Sequence, residues 1–275
     1  MTSPLLGAVI GSPVAHSLSP AIYGAAFLDR GIGARYEAVE TSERDCCSTV
    51  VRLVSEGARA ISVTMPLKET VIACLDGVDA DAMLLRAVNC VSVVDGRLVG
   101  HNTDGEGCCD ALVEQGGALL AGSTAVVLGA GGTARSVALA LVRRGAEVIV
   151  VNRTRSRADE LVSLIDPFGS VRSGTAADIA GADIVVNTTS VGMGTLDSPV
   201  DAGLLHGGLV VLDAVYQPME TALLAAARAA GATVVDGLWM LIQQARRQCA
   251  HQFGWITDAA PMRAAAERVL AERTK

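Results

Sequence analysis

Short apolar runs rich in branched residues alternate with Ala/Leu-rich stretches along the whole chain, the pattern of strands separated by helices. In the first third, strands are predicted at Leu5–Ile10, Arg35–Glu40 and Ala60–Thr64, the last ending at the Pro66 breaker. Helices are predicted at Ala21–Arg30 and Glu43–Glu56, the first preceded by the loop Gly11–Pro20. Ala87–Val94 and Arg97–Gly100 flank Asp95-Gly96, a strong signal for a tight hairpin. Asp104–Gln115 is a predicted helix, and Gly116–Ser123 reads as a boundary.

A new unit then begins. Thr124–Leu128, a glycine turn, the helix Thr133–Arg144 and the strand Glu147–Val151 make one strand–helix–strand unit. Further strands are expected at Asp183–Asn187, Leu209–Val215 and Thr233–Val235, followed by helices at Leu238–Phe253 and Pro261–Arg273. The alternation argues for an α/β protein with parallel sheets. The last helices are expected to pack back on the first domain. That domain, 1–103 with 238–275, is then discontinuous, and 104–237 forms a Rossmann-type second domain.

Composition narrows the partners. A net charge of −7 without a dense basic block argues against nucleic acid, whose phosphates need clustered Lys and Arg. The opening Met1-Thr-Ser-Pro-Leu-Leu-Gly does not read as a signal peptide, and no run reaches the ~18 apolar residues of a membrane span. The expectation is a soluble cytoplasmic protein. Seven cysteines, with vicinal pairs at Cys46-Cys47 and Cys108-Cys109 and no CxxC, suggest neither a metal site nor a disulfide framework, and read as small buried hydrophobes. The basic residues are twenty Arg but only two Lys, Lys68 and the terminal Lys275. Arg keeps its proton at every working pH, whereas Lys can exchange one, so the single internal Lys points to proton chemistry.

Gly129-Ala130-Gly131-Gly132-Thr133-Ala134 is a G-x-G-x-x-A fingerprint between a strand and a helix. Gly129 permits the turn, Gly131 lets backbone approach a pyrophosphate, and Ala134 allows close helix–strand packing. The second strand of this unit ends Asn152-Arg153-Thr154-Arg155-Ser156-Arg157. A carboxylate there would select NAD; guanidinium groups instead suit the 2′-phosphate of NADP. In the first domain, polar residues sit at strand ends: Ser17 and Ser19 before a helix, Thr64 and Lys68 around Met65-Pro66, Asn89 on the hairpin, and Asp104 at a helix start.

Several ordered motifs carry a resemblance. Gly11-Ser-Pro-Val-Ala-His16-Ser17-Leu-Ser19-Pro20, Val63-Thr64-Met-Pro-Leu-Lys68-Glu69, Ala87-Val-Asn89 and Asn102-Thr-Asp104-Gly105 occur in sequence. Gly129-Ala-Gly-Gly-Thr, Asn152-Arg-Thr154, Asp213-Ala-Val-Tyr216 and Asp236-Gly237-Leu-Trp-Met-Leu-Ile-Gln-Gln244 follow. The set resembles the shikimate dehydrogenase family. The resemblance implies NADPH-dependent reduction of 3-dehydroshikimate to shikimate in aromatic amino-acid (chorismate) biosynthesis, by an enzyme acting on small molecules and compatible with a homodimer. It also implies roles. Ser17 and Ser19 hold the substrate carboxylate; Thr64, Asn89 and Gln244 bind ring hydroxyls; Lys68 and Asp104 form the catalytic pair; Tyr216 adds a substrate contact. Asn152, Arg153, Thr154 and Arg157 bracket the adenosine phosphate, and Ala214 and Gly237 approach the nicotinamide through backbone.

The pattern departs from many relatives at four positions. Ser62 replaces Asn, His101 replaces Asp, Cys108 replaces Phe, and Trp239 replaces a smaller residue. His16 and His101 are read as structural loop residues. Two other functions stay open: quinate or aminoshikimate oxidation by the same chemistry, separable by side-by-side turnover, and a non-catalytic NADP sensor, which would be free to lose Lys68 or Asp104.

Overall fold

The computed structural model describes residues 4–273; Met1–Ser3, Thr274, Lys275 and the outermost limits of the expected domains lie outside the described residues. The chain divides into two compact units. One runs to Thr103 and resumes at Ala245, and the other is Asp104–Gln244.

In the first unit, β1 (Leu5–Gly11), α1 (Ser19–Asp29), β2 (Arg35–Glu40), α2 (Cys46–Ser55) and β3 (Ala60–Val63) lead to a 3-10 helix, Thr70–Cys74. Then come β4 (Gly77–Val78), α3 (Ala80–Leu85), β5 (Cys90–Val94) and β6 (Arg97–His101). The sheet order is β2-β1-β3-β5-β6-β4. β1 lies parallel to β2 and β3, with Val9 opposite Ala38 and Ser62. β5, however, runs antiparallel to both β3 and β6. This sheet is therefore mixed rather than parallel. The reason lies in Asp95 and Gly96, which both adopt positive φ (50° and 78°), as a two-residue hairpin of this twist requires.

The core of this unit follows from periodicity. In α2, Cys46, Val50 and Leu53 recur at i, i+4 and i+7 and pack with Ile10, Ile61 and Val63 from the sheet. The helix rotation also separates the vicinal cysteines, since Cys46 is buried and Cys47 exposed. Cys47 is disulfide-bonded to Cys74 at the end of the 3-10 helix. That corrects the reading of all seven cysteines as buried hydrophobes. Spacing could not reveal the pair, because folding alone brings positions separated by 27 residues together. The other five cysteines are buried and not disulfide-bonded.

The chain returns to this unit through α8 (Gly237–Phe253) and α9 (Ala259–Arg273). The ring of Phe253 meets Phe27 of α1 edge-on at 5.5 Å, and Tyr23 of α1 donates a 2.6 Å hydrogen bond to Gln248 Oε1. The first unit thus takes α9 and the part of α8 from Ala245 on, whereas Gly237–Gln244 falls in the second unit, so the return comes later than the expected residue 238.

The second unit opens with α4 (Asp104–Glu114). It continues through β7 (Thr124–Leu128), α5 (Gly132–Arg143), β8 (Glu147–Val151), α6 (Arg155–Ile165), β9 (Val171–Ser173), β10 (Ile184–Asn187), β11 (Val210–Asp213), α7 (Ala222–Ala229) and β12 (Thr233–Val235). The order β12-β11-β10-β7-β8-β9 is parallel throughout. Numbered within the unit it is the 3-2-1-4-5-6 arrangement of a Rossmann fold, with the reversal of strand order between β7 and β10. Short strands β4 and β9 and helices α3, α6 and α7 are additions to the predicted elements. In α6 only Ala158, Leu161 and Ile165 are buried, a stripe too sparse to stand out beside its arginines. No helix among the described residues is long and apolar enough to cross a membrane.

Gly237, where α8 begins, shows how tightly the second sheet is covered. A Cβ there would lie 2.6 Å from the carbonyl oxygens of both Asp213 and Ala214. Backbone cannot yield as a flexible side chain can. Gly237→Ala should therefore lower stability by about 1–3 kcal/mol in chemical denaturation, the usual cost of overpacking. An uncrowded helix position would instead gain up to about 1 kcal/mol from Ala, so the sign of the change decides.

Candidate active site

Two loops leave adjacent carboxyl ends in the first sheet. After β1, the chain crosses Ser12–Leu18 into α1; Ser19, the first helical residue, is buried and its N–H donates to Ser17 Oγ at 3.2 Å. After β3, Thr64 keeps its backbone bond to Ile10 O (2.9 Å), and Leu67 N–H closes back on Thr64 O. Ser12 N–H donates to Met65 O at 2.9 Å, so the serine loop and the lysine loop are tied together. Glu40, at the end of β2, braces the first loop by accepting from Val14 N–H. Hydrogen bonds from Ser12 and Val14 hold its carboxyl below the usual range.

Lys68 is half-buried, and its carbonyl accepts from Val88 N–H at 2.8 Å, which sets it beside the residue before Asn89. Asn89 is buried and fully engaged by backbone. Its N–H reaches His101 O, and its carbonyl takes Val63 N–H and Gln248 Nε2. Its amide group is oriented by Thr103: Oδ1 accepts Thr103 N–H (2.8 Å), and Nδ2 donates to Thr103 Oγ1 (3.0 Å). Ser17, Ser19, Thr64, Lys68 and Asn89 are therefore gathered along one edge of the first sheet, a single ammonium group among neutral hydrogen-bonding groups.

The departures from the family pattern have structural accounts. Ser62 Oγ lies 2.6 Å from Tyr36 OH and donates to Gln248 Oε1 at 2.5 Å, inside a buried hydroxyl network with Tyr23. Burial pushes both tyrosine hydroxyls up, so they stay protonated donors. His101 ends β6 between Asp79 (Nδ1 to Oδ2, 3.0 Å) and Ser92 (Nε2 to Oγ, 3.0 Å), and its ring stacks on His251 at 4.1 Å. Burial raises the carboxyl of Asp79, but the bonds from His101 and Ala82 N–H outweigh it and leave it below its ordinary value. Cys108 is fully buried in α4, and its thiol is pushed up mainly by burial. Trp239 lies in the first turn of α8, where its N–H donates back to Asp236. His16 is exposed and contributes only its carbonyl, to Arg273.

In the second unit, Asp104 is buried at the start of α4, one peptide bond after Thr103. The next N–H, of Gly105, donates to Ser136 Oγ of α5 at 2.7 Å. Gln244, half-buried on α8, donates to Leu241 O, and Tyr216 is half-buried beyond β11. The substrate-binding candidates thus divide between the units, with Asp104, Tyr216 and Gln244 in the second.

The glycine turn sits at the strand-order reversal. Gly129 has φ +114°, a left-handed backbone that favours glycine, and a Cβ there would lie 2.7 Å from Thr188 Oγ1. Gly131 is the N-cap of α5 in an extended conformation, with no side chain capping the first turn and open space around its Cα. Ala130, Gly132 and Thr133 are half-buried along this rim. The free N–H groups and positive end of α5 fit a pyrophosphate. At the end of β8, Asn152 Nδ2 donates to Thr154 O, shaping the turn into α6. Arg155 is held by Asp159, whereas Arg153 and Arg157 are exposed and pair with no carboxylate among the described residues. A 2′-phosphate suits two such guanidinium groups.

Some residues of this rim were given no role by the sequence reading, Asp213 among them although it stands in a quoted motif. Asn187, at the end of β10, donates to Asp213 Oδ1 (2.8 Å) and accepts from Thr189 N–H and Oγ1. Asp213 also takes Thr221 Oγ1 (2.7 Å) and Val215 N–H (3.0 Å); burial raises its carboxyl despite these bonds. Ala214 N–H reaches Asn187 O. This network fixes the chain beyond β10 and β11, including Thr188, which donates to Leu128 O across the turn. The run Asn187-Thr188-Thr189-Ser190 at a strand end was the available signal. Arg135, in the first turn of α5, has its buried Nε without a hydrogen-bond partner, again consistent with an anion at that turn.

Comparison with known proteins agrees with this geometry. Residues 9–91 match the model of the shikimate dehydrogenase substrate binding domain, and residues 111–195 match that of shikimate / quinate 5-dehydrogenase. A shikimate dehydrogenase (NADP(+)) of Natronomonas pharaonis is 43% identical over 243 residues, covering 86% of this chain and 88% of that one. A crystal structure of shikimate 5-dehydrogenase from Thermus thermophilus, in complex with NADP(H) and shikimate, superposes with a TM-score of 0.90 at 39% identity, covering 96% and 99% of the two chains. Quinate dehydrogenase from Corynebacterium glutamicum, in complex with NAD, superposes at 0.87 with 32% identity, covering 96% and 99%. From its motifs, both of its folds and these relatives, the chain belongs to the shikimate dehydrogenase family.

Proposed function

We propose that this chain catalyses the reversible, NADPH-dependent reduction of 3-dehydroshikimate to shikimate, the step expected of the family in aromatic amino-acid biosynthesis. The observation that carries the proposal is the edge of the first sheet, where Lys68 is a lone cation among Ser17, Ser19, Thr64 and Asn89. A ring bearing a carboxylate, several hydroxyls and one reactive oxygen calls for that mixture. Neutral donors and acceptors match the hydroxyls, and each one left unpaired by a wrong substrate would cost about 1–3 kcal/mol.

NADPH, when bound, supplies the hydride. Negative charge then develops on the former ketone oxygen. Lys68 stabilises that charge and delivers the proton, and Asp104 acts with it at the same oxygen; in the reverse direction Lys68 takes the proton back. Ser17 and Ser19 hold the carboxylate through their hydroxyls, with Thr64, Asn89 and Gln244 on the ring hydroxyls and Tyr216 beside them. The first unit is the substrate domain and the second the NADP domain. In the second, Gly129, Ala130, Gly131, Gly132 and Thr133 cradle the pyrophosphate, and Asn152, Arg153, Thr154 and Arg157 surround the adenosine phosphate. Ala214 and Gly237 present backbone to the nicotinamide. The proposal extends to a cytoplasmic enzyme, acting as a monomer or a homodimer. Quinate is the second substrate to test, since a quinate dehydrogenase is among the structural relatives.

Absorbance of NADPH after addition of 3-dehydroshikimate, repeated with NADH and with quinate in the oxidative direction, tests the assignment directly. Lys68→Ala should lower turnover by roughly 10²–10⁴-fold while leaving NADPH binding nearly unchanged; activity equal to wild type would remove Lys68 from the chemistry. Arg153→Gln should raise the KM for NADPH roughly ten- to a hundredfold and leave that for NADH almost unmoved. Equal weakening of both would place Arg153 away from the 2′-phosphate.

A further inference from the structure

We propose that the Cys47–Cys74 pair is a reversible thiol-exchange site, taking dithiol reductants, whose state sets how firmly the segment carrying Thr64 and Lys68 is held. Its consequence for activity rests on the substrate-site reading above; its chemistry does not.

Among the seven cysteines only this pair is open to reagents. Cys47 is exposed on the outer face of α2, and Cys74 is half-buried at the end of the 3-10 helix. Cys46, Cys90, Cys108, Cys109 and Cys249 are buried and not disulfide-bonded. Burial shields the other five from reagents, and it pushes the thiols of Cys46 and Cys90 up and that of Cys249 to about 12, which disfavours the thiolate that exchange needs. A dithiol therefore meets one target. Its thiolate attacks a sulfur of the pair, most accessibly Cys47 Sγ, breaking the Sγ–Sγ bond and leaving a mixed disulfide. Its second sulfur then displaces the protein sulfur. The pair gains two electrons and two protons and becomes two thiols, and the reductant leaves as its own disulfide.

The position of the bond gives this exchange a consequence. The loop that it closes contains β3, Thr64 and Lys68. From Thr64 onward the chain runs through successive turns, with Leu67 N–H on Thr64 O, Val71 N–H on Leu67 O and Ile72 N–H on Glu69 O, ending at Cys74. One end of this run is anchored in the sheet by the Thr64–Ile10 bond; near the other, Val71 is buried in the core and Asp76 N–H bonds Leu98 O, and the disulfide adds a covalent tie to α2. Opening it removes the covalent tie and leaves the segment to its backbone and core contacts, so local opening near Cys74 becomes easier, and Lys68 is the candidate residue nearest to it in the chain. In a reducing compartment, a bond so exposed is expected to be transient and responsive rather than a permanent staple.

The test uses the full chain, treated or untreated with dithiothreitol, alkylated without denaturation and mapped by peptide mass. Cys47 and Cys74 should become labelled only after reduction, with the other five protected. Reduction should lower the melting temperature by roughly 5–10 °C. It should also raise the KM for shikimate about twofold or more and leave that for NADP unchanged, since the NADP candidates lie in the other unit. Cys47→Ser should show the reduced values from the outset and ignore dithiothreitol. Labelling of Cys47 before reduction overturns the site. Reversible labelling with unchanged melting and KM overturns its influence on the Lys68 segment. If Thr64→Val and Lys68→Ala both leave shikimate turnover intact, the substrate-site reading has failed instead, and labelling and melting still judge the exchange site.

Discussion

Parallel pairing is the constraint from which both halves of the molecule follow. β1 lies parallel to β2 and β3, and β7 to β8 and β10. A parallel pair cannot be joined by a tight turn, so each connection must cross the sheet and return to the same starting edge. Every loop that leaves the carboxyl end of one of these parallel strands then emerges on one edge, β5 being the exception. That is why the serine loop after β1 and the lysine loop after β3 are close enough to share the Ser12–Met65 hydrogen bond. It is also why the glycine turn after β7 meets Thr188 after β10.

The loops on these edges are held by side chains that carry no chemistry in the proposed reaction. Glu40 braces the serine loop, Thr103 fixes the amide of Asn89, and Asp213 with Asn187 and Thr221 anchors the chain beyond β10 and β11. Each is an acceptor or donor placed where backbone groups leave a strand and lose their ladder partners. Ser62 belongs with them. In place of the more usual Asn, it enters a hydroxyl network with Tyr23, Tyr36 and Gln248 that ties α8 to the sheet beneath. His101, a further substitution, closes β6 through Asp79 and Ser92. Both side chains are fully engaged here by partners of their own, none of them a candidate substrate residue.

The C-terminal return has a similar logic. α8 begins in the second unit, where Gly237 lets it crowd the end of β11, and finishes in the first, where Gln248 and Gln252 donate to the carbonyls of Asn89 and Val91. One helix therefore contributes to both units, and the division between them falls inside it, after Gln244. A glycine and a change of pattern near Gly237 mark where the helix starts. They carry no information about which of its turns pack on which unit.

Local chemistry made much of this protein legible from its sequence alone. The alternation of apolar runs with helical stretches marked α2, α5 and α8; Asp95-Gly96 marked the hairpin; the Gly129–Ala134 fingerprint marked the strand–turn–helix of the second unit; and the arginines after β8 and the lone internal lysine stood out as candidates for anion binding and proton chemistry. Each of these signals lies within a few residues, where conformational preference and charge act directly. The tertiary structure decided the rest. It set the direction of β5 against β3, paired Cys47 with Cys74, locked Asn89 to Thr103, and assembled the Asn187–Asp213–Thr221 network. These are contacts between distant positions, and no local propensity encodes a partner that only the closing of the sheet brings within reach.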